Sequence, residues 1–186
     1  MGIDSEVRRA VFLDRDGVLN RAFVRQGVLT PPHSLDELEI LPGVMQALQR
    51  LRQAGLRLIV VTNQPDVARG RQQRRKVEEI NDRLKATLPL DDVRVCYHDD
   101  ADSCDCRKPK PGLLLLAARE YGISLRDSYM VGDRWRDVEA GRRAGCTTVF
   151  VETESAERVD INPDVRVTSL GEAADWILAS ENREVE

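Results

Sequence analysis

The chain has 186 residues and a mass of 21.0 kDa, which is the size of one ordinary domain and excludes a pair of large domains. Hydrophobic residues make up 41% and charged residues 32%, which argues against global disorder, and the net charge of -4 gives no support for a nucleic-acid-binding surface. No apolar run approaches the ~20 residues of a membrane span, and the segment from Met1 to Arg9 lacks the apolar stretch of a secretory signal. We therefore expect a cytoplasmic, monomeric protein with one domain over 1–186.

Short apolar runs alternate with helical patterns along the chain. Runs of strand length, most of them rich in β-branched residues, predict strands at 10–13, 56–61, 93–96, 129–131, 147–151 and 164–167. Apolar residues at helical spacing predict helices at 44–54, 74–88, 113–121, 135–144 and 170–179. This alternation is typical of parallel βαβ units, so we predict an α/β fold: a Rossmann-like parallel sheet with helices on both faces. Ligands of such sheets bind at the carboxyl ends of the strands.

Two carboxylates follow the first predicted strand. Asp14 and Asp16 are separated by one residue, and Gly17 allows the backbone to turn tightly after them. Close like charges need a cation or a shared proton, and Mg²⁺ is the usual cation because it takes oxygen ligands. A carboxylate can also attack a phosphoryl group, while a second one protonates the leaving group and later activates water. A solvated turn rich in Asp is the alternative for this segment taken alone.

Four segments in chain order resemble the signature motifs of the haloacid dehalogenase (HAD) phosphatase superfamily. They are Asp14-Arg15-Asp16-Gly17, Val60-Val61-Thr62-Asn63-Gln64, Arg107-Lys108-Pro109 and Gly132-Asp133-Arg134-Trp135-Arg136-Asp137. Each follows a predicted strand or loop in the order typical of the superfamily, and together they extend over most of the chain. The resemblance implies a HAD fold, and the length of the chain leaves no room for a large cap domain.

The resemblance implies a catalytic role for several of these residues. Asp14 is expected to attack phosphorus, Asp16 to act as the general acid and base, and Lys108 to neutralise charge on Asp14 and on the phosphoryl oxygens. A catalytic Mg²⁺ is expected at Asp14, Asp16 and Asp133, where Asp16 contributes its backbone carbonyl, with Asp137 supporting the site from one helical turn away. Phosphoryl transfer depends mainly on positioning and on charge neutralisation, which is what such a set of residues supplies.

Further residues are expected to contact the substrate. The resemblance implies that Thr62 and Asn63 hold the transferring phosphoryl group by hydrogen bonds, and Gln64 continues the same motif. Arg69 and Arg107 are candidate contacts for a second phosphate, because a guanidinium binds phosphate through two parallel hydrogen bonds. Taken singly, Thr62 is equally compatible with a structural hydroxyl and Arg69 with a surface arginine.

Three cysteines and one histidine fall within the loop 96–106. Cys96, His98, Cys104 and Cys106 match the ligand set of a closed tetrahedral Zn²⁺ site, and a closed site is structural because it leaves no position open for water. Such a zinc would pin the loop that leads into the Arg-Lys-Pro motif. Ordinary buried cysteines with an incidental histidine are the alternative. Because these four ligands complete the zinc site, three aspartates of the loop are expected to be solvated residues and not ligands: Asp99, Asp100 and Asp102.

The zinc loop narrows the resemblance to a small branch of the superfamily without caps. We predict a phosphatase that forms an Asp14 phosphoenzyme and acts on a small phosphorylated metabolite. Thr62-Asn63-Gln64-Pro65 and Val67-Ala68-Arg69-Gly70 resemble the corresponding stretch of enzymes that act on D-glycero-D-manno-heptose 1,7-bisphosphate. The resemblance therefore implies this substrate, from which the 7-phosphate is removed. Histidinol phosphate is the rival substrate, because the five-residue gap between His98 and Cys104 is more typical of enzymes for that compound. The residues are also compatible with a phosphotransferase and with a non-enzymatic zinc-binding module, and we expect no nucleic-acid or membrane partner.

Overall fold

A computed structural model of the protein describes residues 8–153 and 162–183, so most of the segment from Met1 to Arg9 lies outside the described residues. The strands are β1 (Ala10–Leu13), β2 (Phe23–Arg25), β3 (Val28–Thr30), β4 (Arg57–Asn63), β5 (Asp92–Cys96), β6 (Tyr129–Gly132), β7 (Thr147–Val151) and β8 (Val165–Val167). The α-helices are α1 (Val44–Gln53), α2 (Arg74–Thr87), α3 (Gly112–Tyr121), α4 (Trp135–Ala144) and α5 (Leu170–Arg183). Short 3₁₀ turns lie at Leu35–Glu37 and Asp100–Asp102.

Six strands form one parallel sheet in the order β5-β4-β1-β6-β7-β8. Alternate strand residues face opposite sides: Val11 and Leu13 belong to one apolar core, and Phe12 belongs to the other. Helices α1, α2 and α5 cover the first side, and α3 and α4 cover the second. This arrangement confirms the predicted α/β fold with helices on both faces of a parallel sheet.

The helices form where apolar residues recur at helical spacing. In α1, the buried residues Val44, Ala47, Leu48 and Leu51 make one stripe that packs on the sheet, and burial of each leucine contributes about 2 kcal/mol to folding. The helices at 44–54, 74–88 and 113–121 were predicted to within one residue at each end. Within the described ranges, none of the helices has the length and apolar character that crossing a membrane requires.

The antiparallel hairpin of β2 and β3 lies outside the predicted elements. Its turn residues Gln26 and Gly27 have φ of 52° and 75°, and two positive φ values are typical of a tight two-residue hairpin turn. The sequence signal for this hairpin was the pair Gln26-Gly27, which lies between two short runs that contain apolar residues. Arg25 Nη2 donates to Glu37 Oε2 at 2.7 Å, which ties the hairpin to the segment before α1. The hairpin contributes to the wall of the cavity described below.

The order of the strands positions the functional residues. The chain builds β4 and β5 on one side of β1 and then β6, β7 and β8 on the other, so the strand order reverses at β1. A crevice opens at the carboxyl ends of the strands where the order reverses. Asp14 follows β1, Asn63 ends β4, Cys96 ends β5 and Asp133 follows β6, so these motifs meet at one edge of the sheet.

Candidate active site

Lys108 joins two carboxylates in the protein interior. Its side chain is 2% exposed, and its Nζ lies 2.8 Å from Asp14 Oδ1 and 2.6 Å from Asp137 Oδ1 and donates to the Val61 carbonyl oxygen at 2.7 Å. These contacts match the three N–H donors of an ammonium group. Burial lowers the pKa of Lys108, but the Asp137 and Asp14 carboxylates outweigh burial and raise that pKa above its usual value. Lys108 is therefore a fixed positive charge beside Asp14.

Asn63 holds the backbone of this lysine in place. Its Nδ2 donates to the Lys108 carbonyl oxygen at 3.0 Å, and its Oδ1 accepts from the Lys108 amide at 3.1 Å. Both ends of the Asn63 amide therefore connect the end of β4 with the Arg-Lys-Pro motif, although the residue also lines the cavity. The sequence predicted a phosphoryl contact for Asn63, and this bridge to Lys108 is an interaction that the sequence did not indicate.

Three buried carboxylates gather beside Lys108. Asp14, Asp133 and Asp137 each offer an oxygen within 4.8 Å of the other two. Burial raises the pKa of Asp133 well above its usual value, and the charges of Asp14 and Asp137 add to this effect. Burial likewise raises the pKa of Asp14 to about 6, although Lys108 opposes the shift. Among the described residues, Asp133 Oδ1 has no hydrogen-bond partner, and Arg134 Nε is 3.9 Å away. Such a cluster is suited to a divalent cation with oxygen ligands.

Two glycines leave the space that these carboxylates occupy. A Cβ atom at Gly17 would lie 2.2 Å from Asp133 Oδ2, and a Cβ atom at Gly132 would lie 2.2 Å from Asp137 Cβ. The backbone amide of Arg134 donates to Asp137 Oδ2 at 2.9 Å, which fixes the second carboxylate against β6. Both glycines are therefore required by packing against the acidic cluster.

Asp16 lies on the cavity wall and is held by several donors. Gln64 Nε2 donates to Asp16 Oδ2 at 2.7 Å, and Asn20 Nδ2 donates to Asp16 Oδ1 at 2.9 Å. The guanidinium of Arg15, which is fully buried, contacts the same carboxylate at 3.1 Å and donates to Asn81 Oδ1 at 2.8 Å. Sequence reasoning missed the roles of Arg15, Asn20 and Asn81. For Arg15 the available signal was its position between Asp14 and Asp16 in the sequence.

Gln64 lies behind the cavity wall. It is 1% exposed, and its Nε2 donates to Thr62 Oγ1 at 2.9 Å as well as to Asp16. Thr62 and Asp16 line the cavity, whereas Gln64 does not. The amide of Gln64 is thus buried and bonded to the two residues in front of it, and the substrate contact predicted for Gln64 stays a prediction. The structure makes Gln64 a residue that orients Asp16 and Thr62.

A cavity of about 300 Å³ opens over these residues. Its wall contains these predicted site residues: Asp14, Asp16, Thr62, Asn63, Arg69, Arg107 and Lys108. The wall also contains three arginines for which no role was predicted: Arg71, Arg134 and Arg136. A wall rich in guanidinium groups next to a buried carboxylate–ammonium pair is suited to a ligand with more than one anionic group.

The two arginines predicted to contact a second phosphate each pair with an aspartate of the loop 96–106. Arg69 donates from Nε and Nη2 to the Asp99 carboxylate at 2.9 and 2.5 Å, and Arg107 Nε donates to Asp100 Oδ1 at 2.8 Å. The hydrogen bonds from Arg69 lower the pKa of Asp99 to about 2. Both aspartates remain accessible to solvent and lie outside the cysteine cluster, and their pairing with guanidinium groups is an interaction that was not predicted.

The predicted zinc ligands come together in one cluster. Cys96 Sγ lies 3.1 Å from Cys106 Sγ and 3.7 Å from Cys104 Sγ, and His98 Nδ1 lies 3.2 Å from Cys106 Sγ. These separations are close to the edges of a tetrahedron with metal–ligand bonds of about 2.0–2.3 Å. All four cysteines of the chain are free thiols, and burial raises the pKa of Cys96. A bound cation would favour the thiolate form, so the cluster could hold Zn²⁺.

Residues 20–145 match the family described as haloacid dehalogenase-like hydrolase. The D-glycero-beta-D-manno-heptose-1,7-bisphosphate 7-phosphatase of Escherichia coli (strain K12) is 36% identical over 184 residues, covering 92% of this chain and 88% of its own. The Helicobacter pylori (strain J99) protein of the same name is 32% identical over 177 residues, covering 91% of this chain and 97% of its own.

The fold is also similar to that of solved structures. The crystal structure of the D,D-heptose 1,7-bisphosphate phosphatase from B. bronchiseptica, complexed with magnesium and phosphate, matches with a TM-score of 0.81 and 32% identity. The match covers 92% of this chain and 99% of that one. These similarities confirm the resemblance that the motifs indicated: the chain belongs to the haloacid dehalogenase-like hydrolase family.

Proposed function

We propose that this hydrolase is a Mg²⁺-dependent phosphatase that removes the 7-phosphate of D-glycero-D-manno-heptose 1,7-bisphosphate. The observation that carries the proposal is the buried pair of Asp14 and Lys108 in a cavity whose wall is rich in arginine. In such a cavity Asp14 can react with one phosphate of the substrate while the arginines bind a second anionic group. The names of the relatives from E. coli and H. pylori support the substrate, and the magnesium and phosphate of the B. bronchiseptica structure support the chemistry.

The proposed mechanism begins at Asp14. Its carboxylate attacks the phosphorus of the ester, the bond between phosphorus and the sugar oxygen breaks, and an aspartyl-phosphate forms. Lys108 favours the anionic form of Asp14 and neutralises charge on the phosphoryl oxygens. Asp16 protonates the departing sugar oxygen and then accepts a proton from the water that hydrolyses the aspartyl-phosphate. Gln64 and Asn20 hold Asp16 in place for both proton transfers.

The acidic cluster fits the magnesium that the family resemblance implies. Asp133 Oδ1 is buried without a hydrogen-bond partner among the described residues, which is what a metal-binding oxygen requires. The carboxylates of Asp14 and Asp133 and the backbone carbonyl of Asp16 would hold Mg²⁺, which when bound supplies positive charge to the phosphoryl oxygens. Asp137 instead contacts Lys108 and the Arg134 amide, so we assign it the task of positioning the lysine.

Gly17→Ala is expected to raise the Mg²⁺ concentration needed for half-maximal activity by at least about tenfold, which is the effect of losing roughly 1.4 kcal/mol of binding. The added methyl group would overlap Asp133 Oδ2 and displace this metal ligand. Activity is measured against Mg²⁺ concentration, and stability by thermal melting.

Gly55→Ala is the matched control for this variant. Gly55 has φ of 82°, close to the 95° of Gly17, but a Cβ atom there meets nothing within 4 Å. Both variants carry the backbone cost of a left-handed alanine, about 1 kcal/mol. Only Gly17→Ala should change the Mg²⁺ requirement, and an equal change in both variants would contradict the proposed site.

Charge favours a bisphosphate over the rival substrate histidinol phosphate. Histidinol phosphate carries a cationic amine at the end remote from its phosphate, and the guanidinium groups of Arg69, Arg107 and Arg136 line the cavity. A second phosphate would instead be attracted by these groups. The proposed substrate class follows from this complementarity.

A substrate screen with Mg²⁺ tests the proposed function. We expect heptose 1,7-bisphosphate to have a kcat/KM at least about tenfold above those of fructose 1,6-bisphosphate and histidinol phosphate. Faster turnover of histidinol phosphate would select that substrate instead. Transfer of phosphate to glycerol without release of inorganic phosphate would indicate a phosphotransferase. An absence of turnover of all three substrates would contradict the proposed substrate.

A further inference from the structure

Two arginines of the cavity wall form ion pairs with adjacent aspartates of the loop 96–106, and Arg69 also lies 3.7 Å from Asp100. Arg69 uses Nε and Nη2 to bind both carboxylate oxygens of Asp99, and Arg107 uses Nε and Nη2 to contact Asp100 at 2.8 and 3.4 Å. The arginines come from different parts of the chain, the segment after β4 and the Arg-Lys-Pro motif. Adjacent aspartates of one short 3₁₀ turn thus hold two separate guanidinium groups of the same cavity.

Each guanidinium keeps donors for a ligand. Arginine has five N–H donors. Among the described residues, Arg69 uses only Nε and Nη2 in hydrogen bonds, which leaves both donors of Nη1, and that nitrogen lies 3.7 Å from Asp66. Arg107 spends a further donor on the His98 carbonyl oxygen at 3.4 Å and keeps the others. The aspartates therefore fix the plane of each guanidinium without using all of its hydrogen-bonding capacity.

The aspartates are themselves fixed by the loop. The Asp99 amide donates to Asp102 Oδ2 at 2.7 Å as one half of a capping box, and the Asp100 amide separately donates to Asp99 Oδ1 at 2.7 Å. Asp99 also follows His98 directly in the chain, and His98 belongs to the cysteine cluster. The Asp99 carboxylate is therefore held by the backbone segment that also carries His98, and Asp100 follows it in the same 3₁₀ turn.

We infer that Asp99 and Asp100 are positioning residues, which orient Arg69 and Arg107 for the substrate's second anionic group and so link the Cys/His cluster to substrate affinity. The inference rests on the proposed function, since it needs a substrate with a group remote from the reacting phosphate. Neither aspartate needs to touch the substrate. Without them the two arginine side chains would lose their fixed rotamers, and binding would have to restore the lost order.

The test compares two substrates in Asp99→Asn and in the double variant Asp99→Asn/Asp100→Asn. We expect the KM for heptose 1,7-bisphosphate to rise about tenfold in the double variant, the size of one charge-assisted hydrogen bond, with kcat unchanged. The KM for heptose 7-phosphate, which lacks the second phosphate, should stay within about twofold of the original value. Zinc content, measured by elemental analysis, shows whether the loop still holds its metal.

The sign of the effect separates positioning from simple electrostatics. Removal of two negative charges beside the cavity would by charge alone lower the KM for a bisphosphate, whereas loss of positioning raises it. A lower or unchanged KM, or an equal rise for both substrates, overturns the inference. Asp105→Asn is the matched control, because Asp105 lies in the same loop but pairs with Lys110 and is 97% exposed. If the original enzyme hydrolyses neither substrate, the proposed function itself has failed.

Discussion

Asp14→Asn is expected to lower the rate of phosphate release by at least about 10³-fold, because an amide cannot act as the nucleophile that forms the aspartyl-phosphate. The substitution preserves the shape of a side chain that is only 7% exposed. Lys108 retains its contacts with Asp137 Oδ1 and with the Val61 carbonyl oxygen, so its charge stays partly compensated. The fold and the zinc content should therefore persist while turnover is lost.

The measurement is steady-state release of phosphate from the bisphosphate with saturating Mg²⁺. Thermal melting and elemental analysis of zinc establish that the variant is folded. Asp82→Asn is a matched control, since it makes the same chemical change at an exposed position of α2. Substantial turnover by folded Asp14→Asn would contradict the nucleophile assignment and would require a mechanism in which water attacks the ester directly.

Cys104→Ser is expected to reduce bound zinc and to lower the melting temperature by about 10 °C, which for a chain of this size corresponds to roughly 3 kcal/mol. A serine hydroxyl is a much weaker zinc ligand than a thiolate, and the Sγ of Cys104 lies 3.7 Å from that of Cys96 and 3.4 Å from that of Cys106. Activity should also fall, because Lys108 follows this cluster by two residues.

A chelator provides the second half of this test. It should lower the melting temperature of the original protein towards that of Cys104→Ser and have little effect on the variant. Cys146→Ser is the control, since Cys146 is buried in the second apolar core but does not belong to the cluster of four metal-binding candidates. This control should lose some stability and keep its zinc. Unchanged zinc in Cys104→Ser would contradict the ligand assignment.

The fold could be derived from the chain because its signals are local. Strand-length apolar runs and helical spacing of apolar residues depend on burial of one face, and the β1 run Ala10–Leu13 was placed with its observed bounds. Parallel strands with helical crossovers bring all carboxyl ends to one edge, so residues that follow separate strands had to meet. The hairpin of β2 and β3 was not predicted, because strands of three residues are too short to show a hydrophobic periodicity.

The sequence predicts which side chains can carry out chemistry, but it does not predict their hydrogen-bond partners. Which residues could carry charge, bind metal or attack phosphorus is predicted from side-chain type and motif order, so Asp14, Lys108 and the cysteine cluster were proposed as site residues from the sequence, and the structure brings the predicted members of each set together. Only the tertiary structure shows that Gln64 is buried behind Asp16 and donates to it. It also shows that Asp137 contacts Lys108 and that Arg69 donates to Asp99. Each of these contacts joins a loop to another part of the chain, and its partner depends on backbone paths that no local pattern encodes.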